Sequence, residues 1–393
     1  MKQSRGTTPQ TIALFSGSLL FQIIQVGTFP ILISQFLSRS SVSNFAIGIF
    51  VSVAWIVVFA AGPFVPRLIS TVGTGRANSI AFGFTLISLA LLVVSPVPMV
   101  ILVSSVAMGL GLIIRWIVCD TLVVHVSEPR IRGRMIGLHE ALMGLGIGLG
   151  PLLFVGPQLE TVTWICIGIA IAGQLAFLNT TSGVVEAEEE AGEAKPQSGQ
   201  RFLIRVILTA LVAAFFAGFI ENSSVALLPL YFENVQISLN ISAILVSSFG
   251  FGGTLLQPVL GYIADRWSYY LAQMICVASI VLSCVLIFLF TKVIWVSLIA
   301  LFFLGGAAGG LNTLAVIEAG RSQSAPQIPA AMTAIAMLYT LGGIAGPVAS
   351  GATLDLFQNQ GMMLLFSASG LVLAVFLFLH RYRISLPSGR RNS

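Results

Sequence analysis

Apolar residues run through this chain in long stretches, broken only by short polar turns. A helix needs about 20 consecutive apolar residues to cross a bilayer. Twelve stretches qualify, at about 11–34, 43–66, 77–95, 98–126, 135–156, 161–179, 202–231, 241–264, 269–290, 293–317, 329–352 and 361–380. The pattern therefore predicts an all-α polytopic membrane protein with twelve transmembrane helices. The first stretch, Thr11 to Ser34, follows Lys2 and Arg5. It exceeds the core of a signal peptide, about 7–15 residues, and reads as an uncleaved first span.

The turns give an orientation. If both termini are cytoplasmic, the inner connections and tails hold Lys2, Arg5, Arg67, Arg76, Arg130, Arg132, Arg134, Lys195, Arg201, Arg205, Arg266, Arg321, Arg381, Arg383, Arg390 and Arg391, which is 16 of the 19 basic residues. Outer connections hold only Arg39 and Lys292, and Arg115 lies within a span. Cytoplasmic loops are enriched in Lys and Arg, so both ends are expected inside.

Composition agrees. The chain is 56% hydrophobic and 8% charged, where a soluble domain carries about 25% charged residues. The net charge of +5 is spread over separate short turns. A nucleic-acid binder needs a basic face or stripe, so no nucleic-acid partner is expected. Cys119, Cys166, Cys276 and Cys284 all lie inside apolar runs without zinc-ligand spacing, and read as packed thiols. No cofactor and no metal are expected.

An acidic piece with Glu186, Glu188, Glu189, Glu190 and Glu193 separates two similar halves. The division is residues 1–180 as an N-terminal six-helix bundle, 181–201 as a solvated cytoplasmic linker, and 202–393 as a C-terminal six-helix bundle with a short basic tail. Pro30 matches Pro229, Gln22 matches Glu221 and Gly62 matches Gly261 at a shift of 199 residues. Asp120 matches Glu318 at 198, and Gly146-x3-Gly150-Pro151 matches Gly342-x3-Gly346-Pro347 at 196. Transporters built from such repeats bind substrate near the midplane, between the halves.

These motifs resemble the major facilitator superfamily over nearly the whole chain. The stretch Gly261-Tyr-Ile-Ala-Asp265-Arg266 is similar to that family's loop signature, while its N-terminal counterpart keeps Gly62, Arg67, Gly73 and Arg76 but has Pro66 in place of the acid. Span five resembles the antiporter signature, Gly137-x8-Gly146-x3-Gly150-Pro151, and then departs from it at Phe154 and Val155. Glu221-Asn222 followed by Leu228-Pro229-Leu230-Tyr231 is similar to span seven of a bacterial branch. The resemblance implies two pseudo-symmetric bundles, alternating access, transport of a small-molecule substrate, and residence in a bacterial inner membrane as a monomer. It names no substrate.

Several polar residues inside spans could carry the chemistry, because such residues are costly there and mark pathways. Arg115 is expected near the membrane middle, either meeting an anionic or carbonyl-bearing solute or held as a structural contact. Asp120 lies five residues on, so its side chain points about 140° away on a straight helix. It reads equally as a proton site or as a contact to the arginine-rich turn. Glu221 is the leading candidate for the coupling proton, since low dielectric favours a neutral carboxyl group. Glu318 reads as an interfacial acid beside Arg321. Asp265 and Arg266 read as a gate-stabilising pair, with Asp265 near the start of span eleven. Glu140, with His139, opens span five and is explained by the helix dipole. Gln22, Gln25, Trp116, Asn222 and Asn312 could line a cavity or join helices. The run Gly144-x-Gly146-x-Gly148-x-Gly150 has no preceding strand, so it is a packing face rather than a nucleotide motif. His125, His139 and His380 are scattered near membrane edges.

Three functions compete on this basis. The first is proton-coupled efflux by antiport; the second is proton-coupled uptake of an organic anion or vitamin-like solute. The third, a non-transporting sensor or membrane-embedded enzyme, lacks any catalytic constellation.

Overall fold

The computed structural model describes residues 8–127, 131–181, 207–322 and 327–385. The linker expected at 181–201 falls outside these apart from Thr181, as do Arg130 and the basic ends of both tails. Twelve helices are long and apolar enough to cross a membrane. They are α1 (Pro9–Arg39), α2 (Asn44–Val72), α3 (Thr74–Val94), α4 (Pro98–Val126), α5 (Arg134–Phe154), α6 (Leu159–Leu178), α7 (Leu208–Asn234), α8 (Leu239–Arg266), α9 (Tyr269–Phe290), α10 (Ile294–Arg321), α11 (Ala330–Phe357) and α12 (Gly361–His380). Helices suit lipid because each satisfies its own backbone. The chain crosses back and forth, so α1 starts and α12 ends on one face, here the terminal face; the other is the distal face.

Two spans run further than their hydropathy indicates. Residues Gly62–Phe64 form a 3-10 turn, and an amphipathic helix, Val65–Val72, continues α2. The loop signature at Gly261 is likewise helical, within Gln257–Arg266. Pro63, Pro66 and Pro258 sit in the first turn of these segments, where the missing N–H costs nothing, so the chain bends without unwinding.

Burial orders the helices. In α1, α4, α7 and α10, between 61% and 78% of the most apolar stretch is buried, against 28–50% in the other eight. Every third helix is thus interior, in both halves. Within the first half α1 packs in parallel along α5; within the second, α7 packs in parallel along α11. Both contacts rest on glycine. Gly146 and Gly150 of α5 meet Gln22, Ile23 and Gly27 of α1, while Gly342 and Gly346 of α11 meet the Phe215 and Phe219 carbonyls of α7. These are the glycine pairs related at 196 residues in sequence.

A Cβ at Gly342 would collide with the Phe215 carbonyl, whereas one at Gly168 would meet nothing within 4 Å. Gly342→Ala is therefore expected to cost roughly 1–3 kcal/mol by overpacking. Gly168→Ala should be neutral or slightly stabilising, since Ala is the better helix former by about 1 kcal/mol. Thermal unfolding in detergent should show a fall of several degrees for the first and none for the second.

Two antiparallel seams join the halves. Along α2 and α11, Asn44 and Phe45 meet Asp355, Gly48 meets Pro347, Ser52 donates to the Ile344 carbonyl at 2.8 Å, and Trp55 meets Tyr339. Along α5 and α8, Gly144 meets Thr254, Gly148 meets Gly250 and Phe251, and the Gly156 N–H donates to Asn240 Oδ1 at 3.2 Å. Most of these contacts lie from the middle of the helices towards the distal face, while Tyr339 lies 9 residues from the terminal-face end of α11.

One local feature had no signature in sequence. Residues Ile23–Thr28 of α1 form a π-helical turn. The Thr28 hydroxyl donates to Ile23 O at 2.7 Å and lies 3.2 Å from Gly150 O on α5. Such turns are rare and recur at functional sites.

Candidate functional site

Four polar groups sit among the buried helices. The first centres on Arg115, which lies 11 residues from the terminal-face end of α4, about 17 Å at 1.5 Å per residue. Its side chain is 3% exposed. The guanidinium carbon lies 3.2 Å from the Phe21 ring centroid and 4.9 Å from that of Phe177. Nη2 reaches the Asn78 carbonyl at 3.5 Å, while Nε and Nη1 have no hydrogen-bond partner. A small cavity beside it, about 10 Å³ and so the size of about one water, is lined by Gln22, Gln25, Trp116, Cys119 and Met143 among others. Gln25 is also tied to Thr85, donating at 2.9 Å.

The second group corrects the reading of α5. Its helix begins at Arg132, so His139 and Glu140 lie two turns in, where no dipole argument applies. Nor is His139 at a membrane edge: it is 2% exposed, and with Asp120 and Glu140 it offers ligand atoms within 4.8 Å of one another. His139 Nδ1 is 4.0 Å from Asp120 Oδ1, beyond hydrogen-bond range. One imidazole and two carboxylates suit a proton, and as a donor set they also match a divalent ion such as zinc. Asp120 and Arg115 stay apart, as the 140° offset requires, and the Trp116 indole lies beside Asp120 instead.

Glu221 anchors the third group. It is 13 residues from either end of α7, about 20 Å, so it is at the centre of its span. It is half-buried, and the Tyr339 phenol of α11 lies against its carboxyl group. Tyr339 packs edge-on against Trp55 of α2, with centroids 6.2 Å apart. Asn222 donates to the Gly218 carbonyl at 3.0 Å and touches Gly343. Among the described residues, neither Glu221 nor Arg115 forms an ion pair. Sequence reading missed Tyr339 and Trp55. A lone phenol in an aliphatic span was the available signal.

The fourth group redistributes the partners expected at the terminal face. Asp265 pairs with Arg321 at 2.6 Å, not with Arg266. Successive helical residues point about 100° apart, so Asp265 and Arg266 do not face each other. Glu318 turns inward, accepting hydrogen bonds from Thr209 and from Gln273, the latter at 3.4 Å. It is thus a half-buried acid with partners on two other helices. Asn312, on α10, is half-buried and does not line the Arg115 cavity.

The architecture and the motifs have counterparts in known proteins. The family model described as Major Facilitator Superfamily matches residues 14–316 and 210–392. Similar proteins include the uncharacterized MFS-type transporter YfkF of Bacillus subtilis, 24% identical over 62% of this chain; the match spans 63% of that protein, under two thirds of its length. The uncharacterized MFS-type transporter YcaD of Salmonella typhi is 26% identical over 69% of each chain. Among solved structures, a D-xylose-proton symporter superposes with a TM-score of 0.78 at 13% identity, covering 94% of this chain and 97% of that one. The nucleoside transporter NupG superposes with a TM-score of 0.75 at 12% identity, covering 95% and 98%. At such identities the superpositions speak to fold, and they share it from end to end. With twelve helices in this arrangement and a family match along its length, the chain belongs to the Major Facilitator Superfamily, as a membrane transporter and not an enzyme.

Proposed function

We propose that the protein exports a small organic solute in exchange for protons, with residues 1–180 and 202–393 rocking about the site between them. The observation that carries this reading is the position of Glu221. Its carboxyl group lies against Tyr339, and Tyr339 lies against Trp55 of the opposite half. A proton on Glu221 lets that seam stay dry. An ionised carboxylate there is costly without water or a partner, so proton release favours opening of the seam. Protonation is thereby linked to the contact that must break when the transporter turns over.

The basic residues counted above favour a cytoplasmic terminal face. With both seams tied mainly over their distal halves, we read the arrangement as inward-facing. Asp120, His139 and Glu140 then form the cytoplasmic approach for the proton, and Asp265 with Arg321 steadies the adjoining helix ends. The smooth glycine faces of α5, which resemble an antiporter signature, support export over uptake.

Vesicles of both orientations test the direction. Inside-out vesicles should accumulate solute when their interior is acidified. Accumulation driven by an inward proton gradient in right-side-out vesicles would instead establish uptake.

A further inference from the structure

Asp120 of α4 converges with His139 and Glu140 of α5, each offering a ligand atom within 4.8 Å of the other two. Asp120 lies 6 residues from the terminal-face end of α4 and His139 lies 5 from that of α5, so both sit about 8–9 Å inside that face. The imidazole is 2% exposed and packs against the Phe15 ring of α1, with centroids 5.8 Å apart. Buried polar groups are normally hydrogen-bonded, yet Nε2 has no partner. Nδ1 is aimed at Asp120 and stops 4.0 Å from Oδ1, too far for a hydrogen bond. Nor does any Lys or Arg pair with Asp120 or Glu140 among the described residues. Two carboxylates this close repel each other when ionised, unless a cation or a proton sits between them. A metal ion bonded to nitrogen and oxygen at about 2.0–2.2 Å spans the gap between His139 and Asp120, where a shared proton does not.

We propose that this cluster binds a divalent transition-metal ion, zinc first of all, and so clips α4 to α5 near the terminal face. One imidazole and two carboxylates are a ligand set that zinc accepts, with a fourth position left for water. Asp120 and Glu140 are exposed, so that position is open and both side chains can swing in to close the geometry. The Trp116 indole lies beside Asp120 and steadies that ligand from behind, as outer partners of metal ligands do. Magnesium and calcium favour all-oxygen shells and are poorly served by a buried imidazole. Two positive charges against two negative ones leave the site neutral, which suits its depth. While occupied, the cluster is closed to protons; that consequence alone rests on the transport reading above.

Zinc chloride itself is the probe, on full-length protein purified in detergent with a tag free of histidine and stripped with a chelator. Micromolar zinc should raise the unfolding temperature by several degrees, since a ligand of the folded form stabilises it, and calorimetry should count one ion per chain. Millimolar magnesium should do neither. His139→Gln, Asp120→Asn and Glu140→Gln should each weaken zinc binding roughly tenfold or more. The two carboxamide variants sit at exposed positions, so they report even if His139→Gln fails to fold. His125→Gln, at the exposed histidine near the end of α4, should bind zinc like the unaltered protein. No response to zinc, an equal response to magnesium, or zinc binding that survives in Asp120→Asn and Glu140→Gln alike would overturn the proposal. So would its loss in His125→Gln, since the ion would then sit elsewhere. Because binding is read without a membrane or a gradient, the site can fail while proton-coupled transport holds, and the reverse.

Discussion

Glu221→Gln strongly reduces gradient-driven transport while leaving solute exchange intact. Gln keeps the size and hydrogen-bonding capacity of a protonated Glu but never ionises. The contact with Tyr339 is therefore retained and the helices stay packed. What disappears is the alternation between a neutral group that tolerates the dry seam and a charged one that does not. In liposomes with an imposed pH gradient, accumulation should fall by roughly the coupling factor between linked sites, on the order of 5–150-fold. Exchange of labelled for unlabelled solute, which needs no net proton movement, should persist. Undiminished gradient-driven accumulation in this variant would remove Glu221 from the coupling and, with it, the significance of the Tyr339–Trp55 contact.

The second large effect is expected at the distal end of the same seam. Asp355 of α11 accepts three hydrogen bonds from the first turn of α2: Asn44 N at 3.0 Å, Asn44 Nδ2 at 2.8 Å and Phe45 N at 2.8 Å. It thus caps a helix belonging to the other half, satisfying donors that a helix start leaves unpaired and placing negative charge at a positive helix end. Asp355→Ala removes all three bonds at once. Each is worth about 0.5–1.5 kcal/mol net, and exposure to solvent lowers the total. A shift of about tenfold towards the distal-open state follows. Spin labels introduced by Ser41→Cys and Gln360→Cys, on distal turns of opposite halves, should report a longer distance in a larger fraction of molecules. Asp355→Asn, which retains an acceptor oxygen, should fall between the two. An unchanged distance distribution in Asp355→Ala would show that this cap does not hold the seam.

The number and order of the helices were legible because hydrophobic length is itself the physical requirement for spanning. The internal repeat was legible too, and the glycine pairs at 146/150 and 342/346 turn out to make equivalent contacts in the two halves. Side-chain partnerships were less so. That Arg115 and Asp120 do not meet followed from the helical angle between them. The pairing of Asp265 with Arg321, the inward turn of Glu318 and the joining of Asp120 to His139 depend on neighbouring helices, about which a single chain's spacing is silent. Asp355 lay outside the second half's predicted spans, and Asn44 stood at the edge of one, so neither drew attention. The π turn in α1 adds one residue to a turn without altering the hydropathy around it.

The alternating glycines of α5 carry one more implication. Gly146 and Gly150 abut α1 while Gly144 and Gly148 abut α8, so at these positions on both flanks this helix offers only its own backbone. With no side chains of its own at these four positions, the helix has few knobs to hold its axial position, and small slips meet less resistance. The speed of interconversion would then be governed by latches at the tips, such as Asp355 on α2 and Asn240 on Gly156, rather than by unmeshing along the shaft.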